Sequence, residues 1–321
     1  MVRMKGVTSC EKKLRNRLIA LFLAIILPLS ACNGGGTVPP GSTRPSNSPT
    51  SARTLSATST LTLSPPTPTA VPMAAMVNSE GIPLADYQAE LGRYQAALTT
   101  TNQAAPSDAD QKKIVLDDLI DTLLLAQAAT QAGFSVTQAA LQTRVDQLAV
   151  NLSGEDGLAG WEKQNGYTDQ SFRESLSLSI AAAWQRDQII SKVPTTADQV
   201  HAFQILVSSS TLAQTIYQQL QNGVKFATLS FYYESNTGGD LGWFPRGYLT
   251  VPEVEDAAFA LQPGEYSKVI QSKLGYHIIE VVERDPNHPL SADARQTLQQ
   301  QALQKWVDDQ RTKSKITILI P

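Results

Sequence analysis

Two cysteines, Cys10 and Cys32, and three histidines are all that 321 residues contain. Two thiols near the N-terminus cannot cross-link the roughly 245 residues from Met76 onward, so a disulfide-stapled scaffold is excluded and a packed core must hold the body together. His201, His277 and His288 form no His or Cys pair with ligand spacing, so no metal is expected. No Gly-Lys-Ser/Thr follows the Gly-rich turn at Gly238-Gly239-Asp240, which removes the usual phosphate loop, and no Gly-x-Ser-x-Gly elbow appears. No cofactor is expected. Long apolar runs are missing too. The longest, Leu18 to Leu29, has twelve residues, short of the roughly 20 that span a bilayer as a helix.

What precedes that run is basic: Arg3, Lys5, Lys12, Lys13, Arg15 and Arg17. A basic start and a short apolar core make an export signal. It ends in Leu29-Ser30-Ala31-Cys32, which resembles a bacterial lipobox. Residues 1–31 are therefore expected to be a lipoprotein signal peptide, with Cys32 as the lipid attachment and an extracytoplasmic, membrane-anchored location. Loss of residues 1–31 leaves 20 basic and 28 acidic side chains, a net charge of −8. An acidic chain is a poor partner for nucleic acid, whose binding depends on Lys and Arg. Residues 32–75 are mostly Gly, Pro, Ser and Thr and are expected to be a disordered linker.

Residues 76–195 read as helical. Tyr87, Leu91, Tyr94 and Leu98 recur at helical spacing, as do Leu116, Leu119, Ile120, Leu123 and Leu124 ahead of Gly133. Thr137 is placed to cap a helix bearing Leu141, Val145 and Leu148. Thr168 is placed to cap another with Phe172, Leu176, Ile180 and Trp184. Two α/β lobes of a solute receptor would need alternating strands here, and none are visible. Residues 196–288 are mixed. Phe203–Val207 reads as a strand, then come helices around Leu212–Leu220, Phe226–Tyr233 and Val254–Leu261, and strands at Tyr266–Ile270 and Tyr276–Val282. Within 289–321, Ser291 opens a helix carrying Leu298, Leu303 and Trp306, and Ile316, Ile318 and Ile320 alternate like a strand.

Three ordered blocks lie in the mixed region: Gly238-Gly239-Asp240-Leu241-Gly242-Trp243-Phe244, Pro252-Glu253-Val254-Glu255-Asp256-Ala257-Ala258-Phe259, and Gly275-Tyr276-His277-Ile278-Ile279. Together they resemble the parvulin family of peptidyl-prolyl cis-trans isomerases. Val77-Asn78-Ser79-Glu80-Gly81, the Leu116–Asp121 helix and Phe172-Arg173-Glu174-Ser175-Leu176 are similar to the N-terminal domain of SurA-like and PrsA-like export foldases. The resemblance implies an α+β protein. A helical chaperone domain (76–195) would be completed by the C-terminal helix and strand (289–321). A parvulin-like domain (196–288) with a small, mostly antiparallel four-stranded sheet would be inserted in it. The implied partners are unfolded or proline-containing exported polypeptides.

The resemblance also implies site residues. Leu249 and Val254, flanked by Phe259 and following Trp243 and Phe244, would seat the proline ring. His277 matches one of two facing histidines. The other is replaced by Gln204 in Ala202-Phe203-Gln204-Ile205-Leu206-Val207, and Ser235 stands nearest the family's Cys or Asp. Gln204 hydrogen-bonds but does not titrate, and Ser235 carries no charge. The expectation is an isomerase of weakened activity, or a holdase that keeps the parvulin module as a peptide-binding surface.

Overall fold

The computed structural model describes residues 71–99 and 105–320. The signal peptide, Cys32 and the linker as far as residue 70 lie outside the described residues. Residues 71–75 do not: Met73–Ala75 already belong to a strand, and Ala74 and Ala75 are fully buried. Small side chains that read as linker in composition are here what lets a strand sit in a core.

Strands β1 (Met73–Val77) and β2 (Glu80–Pro83) form a hairpin, turned by Asn78 at φ 58°, a left-handed conformation that Asn tolerates better than most residues. With β7 (Ile316–Ile318) they make a sheet of order β2-β1-β7. Helices α1 (Leu84–Thr99), α2 (Asp108–Gln131), α3 (Gln138–Asn151), α4 (Glu155–Gln164) and α5 (Asp169–Ile190) follow. The caps sit where the sequence puts them. Thr137 Oγ1 accepts from Ala140 N (3.2 Å). Thr168 and Ser171 exchange side-chain and backbone bonds in a capping box. The last helix, α9 (Ala292–Lys313), begins with Ser291 Oγ accepting from Ala294 N (3.1 Å).

Two compact units divide the described residues, the first comprising 71–75, 81–99, 105–118 and 319–320, the second 76–80 and 119–318. The first buries Tyr87 and Tyr94 of α1 and Val115 and Leu116 of α2. Among the helices of the second, Ala126, Ala129, Ala181 and Ala182 let α2 and α5 approach closely, and Phe134 stacks on Trp184 at 4.8 Å between centroids. Val145, Leu148, Leu158 and Phe172 form another core with Trp161 and Tyr167 against it.

The rest of the second unit is a four-stranded antiparallel sheet of order β4-β3-β6-β5: β3 (Thr196–Val207), β4 (Asp240–Pro245), β5 (Ile270–Ser272) and β6 (Gly275–Pro289). Helices α6 (Ser210–Gln221) and α7 (Phe226–Tyr233) cover one face, packing on Ile205, Val207 and Ile278. Helix α8 (Pro252–Ala260) covers the other, with Val200, Ala202, Phe244, Ile279 and Val281 beneath it. The strand expected at Tyr266–Ile270 is displaced to Ile270–Ser272. Its earlier half is tied to β6 by Ser267, whose amide donates to Ile279 O (2.7 Å) and whose hydroxyl oxygen accepts from Ile279 N (3.0 Å). A side chain does there what a ladder would do. The sheet begins and ends side by side. Thr196 pairs with Pro289, Leu290 N donates to Thr195 O (2.9 Å), and the buried Gln199 carboxamide donates to His288 O (2.7 Å).

Candidate functional site

On the long β3–β6 ladder, Gln204 lies opposite Ile279 and Leu206 opposite His277. Residue alternation turns Ala202 and Gln204 of β3, and His277, Ile279 and Val281 of β6, toward the α8 face. His277 is 2 % exposed. Its Nδ1 lies 3.3 Å from Gln204 Oε1 and its Nε2 lies 2.7 Å from Ser272 Oγ. With the Gln204 oxygen toward the ring, Nδ1 carries the proton and Nε2 accepts from the Ser272 hydroxyl. Ser272 Oγ in turn accepts from Leu274 N (3.0 Å). Burial pushes the imidazole below its ordinary value, offset in part by the Glu253 carboxylate. The ring is a neutral link in a chain that runs from edge strand β5 to central strand β3.

The Gly238-Gly239-Asp240 turn has a structural task beside this chain. Gly239 adopts φ +79° and lies flat on Gln204, whose amide donates to Gly239 O (2.8 Å). A Cβ at Gly239 would stand 2.1 Å from Gln204 O, so only glycine fits. Asp240 Oδ1 accepts from Gly242 N (2.7 Å) and contacts His201 Nε2 (2.8 Å).

The apolar candidates separate into two groups. Phe244, Val254 and Phe259 are 0, 2 and 5 % exposed and belong to the core under α8. The Arg246 guanidinium lies 4.4 Å above the Phe259 ring, so that ring is covered on its outer side as well. Leu249 packs on this core while staying partly exposed, together with Tyr248 and Val251. Of these candidates Leu249 alone is partly open, with the three buried side chains beneath it. Trp243 is not among them. Adjacent strand residues point to opposite faces, and Trp243 stacks on His288 at 4.0 Å with His201 at 5.7 Å.

Ser235 is exposed and lines a shallow depression with Leu229, Phe231, Tyr232 and Tyr233 of α7. Its neighbour Glu234 reaches the sheet, where Oε1 accepts from Leu206 N (3.3 Å). His277, Gln204 and Leu249 thus share the α8 face, while Trp243 and Ser235 lie apart from it. Sequence reasoning passed over Ser272, whose spacing of five residues before His277 is the one signal available. It also passed over Glu255, an acidic residue among apolar helix positions. Among the described residues no cluster of His, Cys, Asp or Glu is placed to hold a metal ion.

Residues 189–283 match the PPIC-type PPIase (rotamase) domain and residues 68–173 the SurA-like N-terminal domain. The foldase protein PrsA of Caldanaerobacter subterraneus subsp. tengcongensis is 31% identical over 236 residues, which are 65% of this chain and 72% of that protein. The chaperone SurA of Nitrosospira multiformis is 36% identical over 143 residues, 38% of this chain and 32% of that one. The crystal structure of the peptidylprolyl isomerase PrsA from Bacillus anthracis is 23% identical, covering 62% of this chain and 96% of that one at a TM-score of 0.42.

Proposed function

The chain belongs to the PrsA family of foldases, and on that footing we propose that it is a membrane-tethered, extracytoplasmic foldase that binds unfolded exported polypeptides and turns over their prolyl peptide bonds at a reduced rate. The observation that carries the reading is the His277 ring held between Gln204 and Ser272 on the same sheet face as the half-open Leu249.

Prolyl isomerisation breaks no covalent bond. Its barrier, about 18–20 kcal/mol for an ordinary amide, is the resonance of a planar C–N bond. A catalyst lowers it by favouring the twisted amide. Leu249 supplies an apolar seat for the proline ring, and the core beneath keeps the site dry, where hydrogen bonds to the twisting amide act in a low dielectric. His277 keeps the floor neutral and uncharged. Gln204 preserves the hydrogen bond of the facing histidine without its titration, and the one carboxylate of the 234–235 pair is occupied with Leu206 N. Both features favour binding over turnover.

A protease-free isomerisation assay on an Xaa-Pro peptide tests the reading. The mature chain is expected to accelerate exchange above the uncatalysed rate. Absence of any acceleration, with aggregation of an unfolded client still suppressed, moves the reading to a holdase. The tether is tested separately, since Cys32→Ala is expected to shift the protein from the membrane fraction to the soluble one.

A further inference from the structure

The loop between β4 and α8 carries Leu249, and its backbone is held by side chains from two helices. Glu255, one turn into α8, is 8 % exposed. Its Oε1 accepts from Gly247 N (2.7 Å) and its Oε2 from Leu249 N (3.0 Å). Both carboxylate oxygens of a buried acid are thus spent on this loop. From the other side comes Gln301 of α9, whose carboxamide donates to Gly247 O. The approach is close: a Cβ on Gly247, which sits at φ +83°, would stand 2.7 Å from Gln301 Oε1. One glycine residue is therefore gripped at its N–H by α8 and at its C=O by α9. The same carboxylate fixes the amide of Leu249 two residues on. Helix α9 packs along α5, so the outer grip belongs to a helix that the sheet does not contain.

We infer that Gln301 and Glu255 are positioning residues of the proline seat, and that α9 sets the place of Leu249 through Gly247. The inference rests on the isomerase reading of that face. The two grips differ in kind. Glu255 is buried and removing it leaves two amides without partners, so it holds the loop permanently. Gln301 is solvent-exposed and its bond is exchangeable with water. It is the adjustable member, and anything that displaces α9 loosens the seat without unfolding the sheet.

The test uses the full chain. Gln301→Glu keeps the shape but sets an acceptor against Gly247 O. Gln301→Lys keeps a donor there, and Gln300→Glu makes the same charge change at an exposed neighbouring position. Loss of one exposed hydrogen bond is expected to speed amide exchange of residues 247–251 about three- to tenfold and to raise KM by a similar factor with kcat held. Gln301→Lys is expected to recover most of the lost protection, and Gln300→Glu to change neither readout. Exchange at 247–251 unchanged in Gln301→Glu overturns the inference, as does a fall in kcat with KM constant. If the wild-type chain turns over no prolyl peptide, the isomerase reading fails on its own. The exchange measurement then decides alone: faster exchange confined to 247–251 supports the positioning role and unchanged exchange overturns it.

Discussion

His277 Nδ1 lies 3.3 Å from the side-chain oxygen of Gln204 across the β3–β6 ladder. The contact closes a network in which each buried polar group of the ring has a partner, with Ser272 at the other end. Its consequences are measurable one residue at a time.

Replacing Gln204 by leucine leaves the Nδ1–H of a buried ring without an acceptor. The expected loss of stability is about 1–3 kcal/mol, the cost of one unsatisfied buried donor, read by urea unfolding. Gln204→His restores a titrating pair and is expected to raise kcat/KM while leaving aggregation suppression where it was. A large gain in chaperoning from that change would contradict the division of labour proposed above.

Leu249 and Trp243 stand close in sequence but serve opposite sheet faces. Leu249→Ala is expected to raise KM about tenfold, from the lost burial of an aliphatic side chain against the proline ring. Trp243→Ala is expected to leave KM within about twofold and to lower stability instead, through loss of an aromatic stack worth about 0.5–1.5 kcal/mol. Steady-state kinetics on both variants separates the two faces.

Gly239→Ala combines a left-handed backbone with a Cβ driven into the Gln204 carbonyl. Strain of this kind costs about 1–3 kcal/mol. The variant is expected to melt earlier and to lose activity with stability, since the displaced strand is the one that carries Gln204. A fully stable Gly239→Ala protein would show that the turn is free to move.

Two buried groups pull stability in opposite directions with pH. His277 has a folded value below its ordinary 6.5. Below pH 6.5 the unfolded chain takes up a proton that the folded one refuses, so stability falls as pH drops from 6.5 toward the folded value and is level above 6.5. Glu162 is raised above its ordinary 4.5, by burial first and then by Asp169. The folded chain binds that proton first, so this contribution grows as pH falls toward 4.5. Its Oε1 is buried with no hydrogen-bond partner. Glu162→Met is expected to gain about 1 kcal/mol at pH 7 by removing an unsatisfied acceptor. His277→Gln is expected to flatten the decline below pH 6.5. Urea titrations from pH 7.5 to 4.5 on the two variants read both effects.

Local chemistry was legible in the sequence where it is self-contained. Thr137, Thr168 and Ser291 announce helix starts because a cap needs only its own next turn. The facing of Gln204 and His277 followed from matching two strands to a known pairing. What was hidden depends on partners distant in sequence. Met73-Ala74-Ala75 reads as linker until β7 and β2 flank it. Val254 and Phe259 are ligand contacts only as the parvulin resemblance implies, and the core under α8 claims them. Trp243 and Phe244 read as one patch, although a strand's twofold alternation separates them. Glu255 and Gln301 carry no motif, and their meaning lies in the backbone groups that folding brings within reach.

The paired entry and exit of the sheet, closed at Thr195 and Leu290 and locked by Gln199, has a mechanical side. A module joined by one flexible thread swivels freely; one joined by a hydrogen-bonded double stem resists torsion and passes load from strand to helix. The two cut ends also lie next to each other. A tight turn from Thr195 to Leu290 would therefore join α5 to α9 without stretching either.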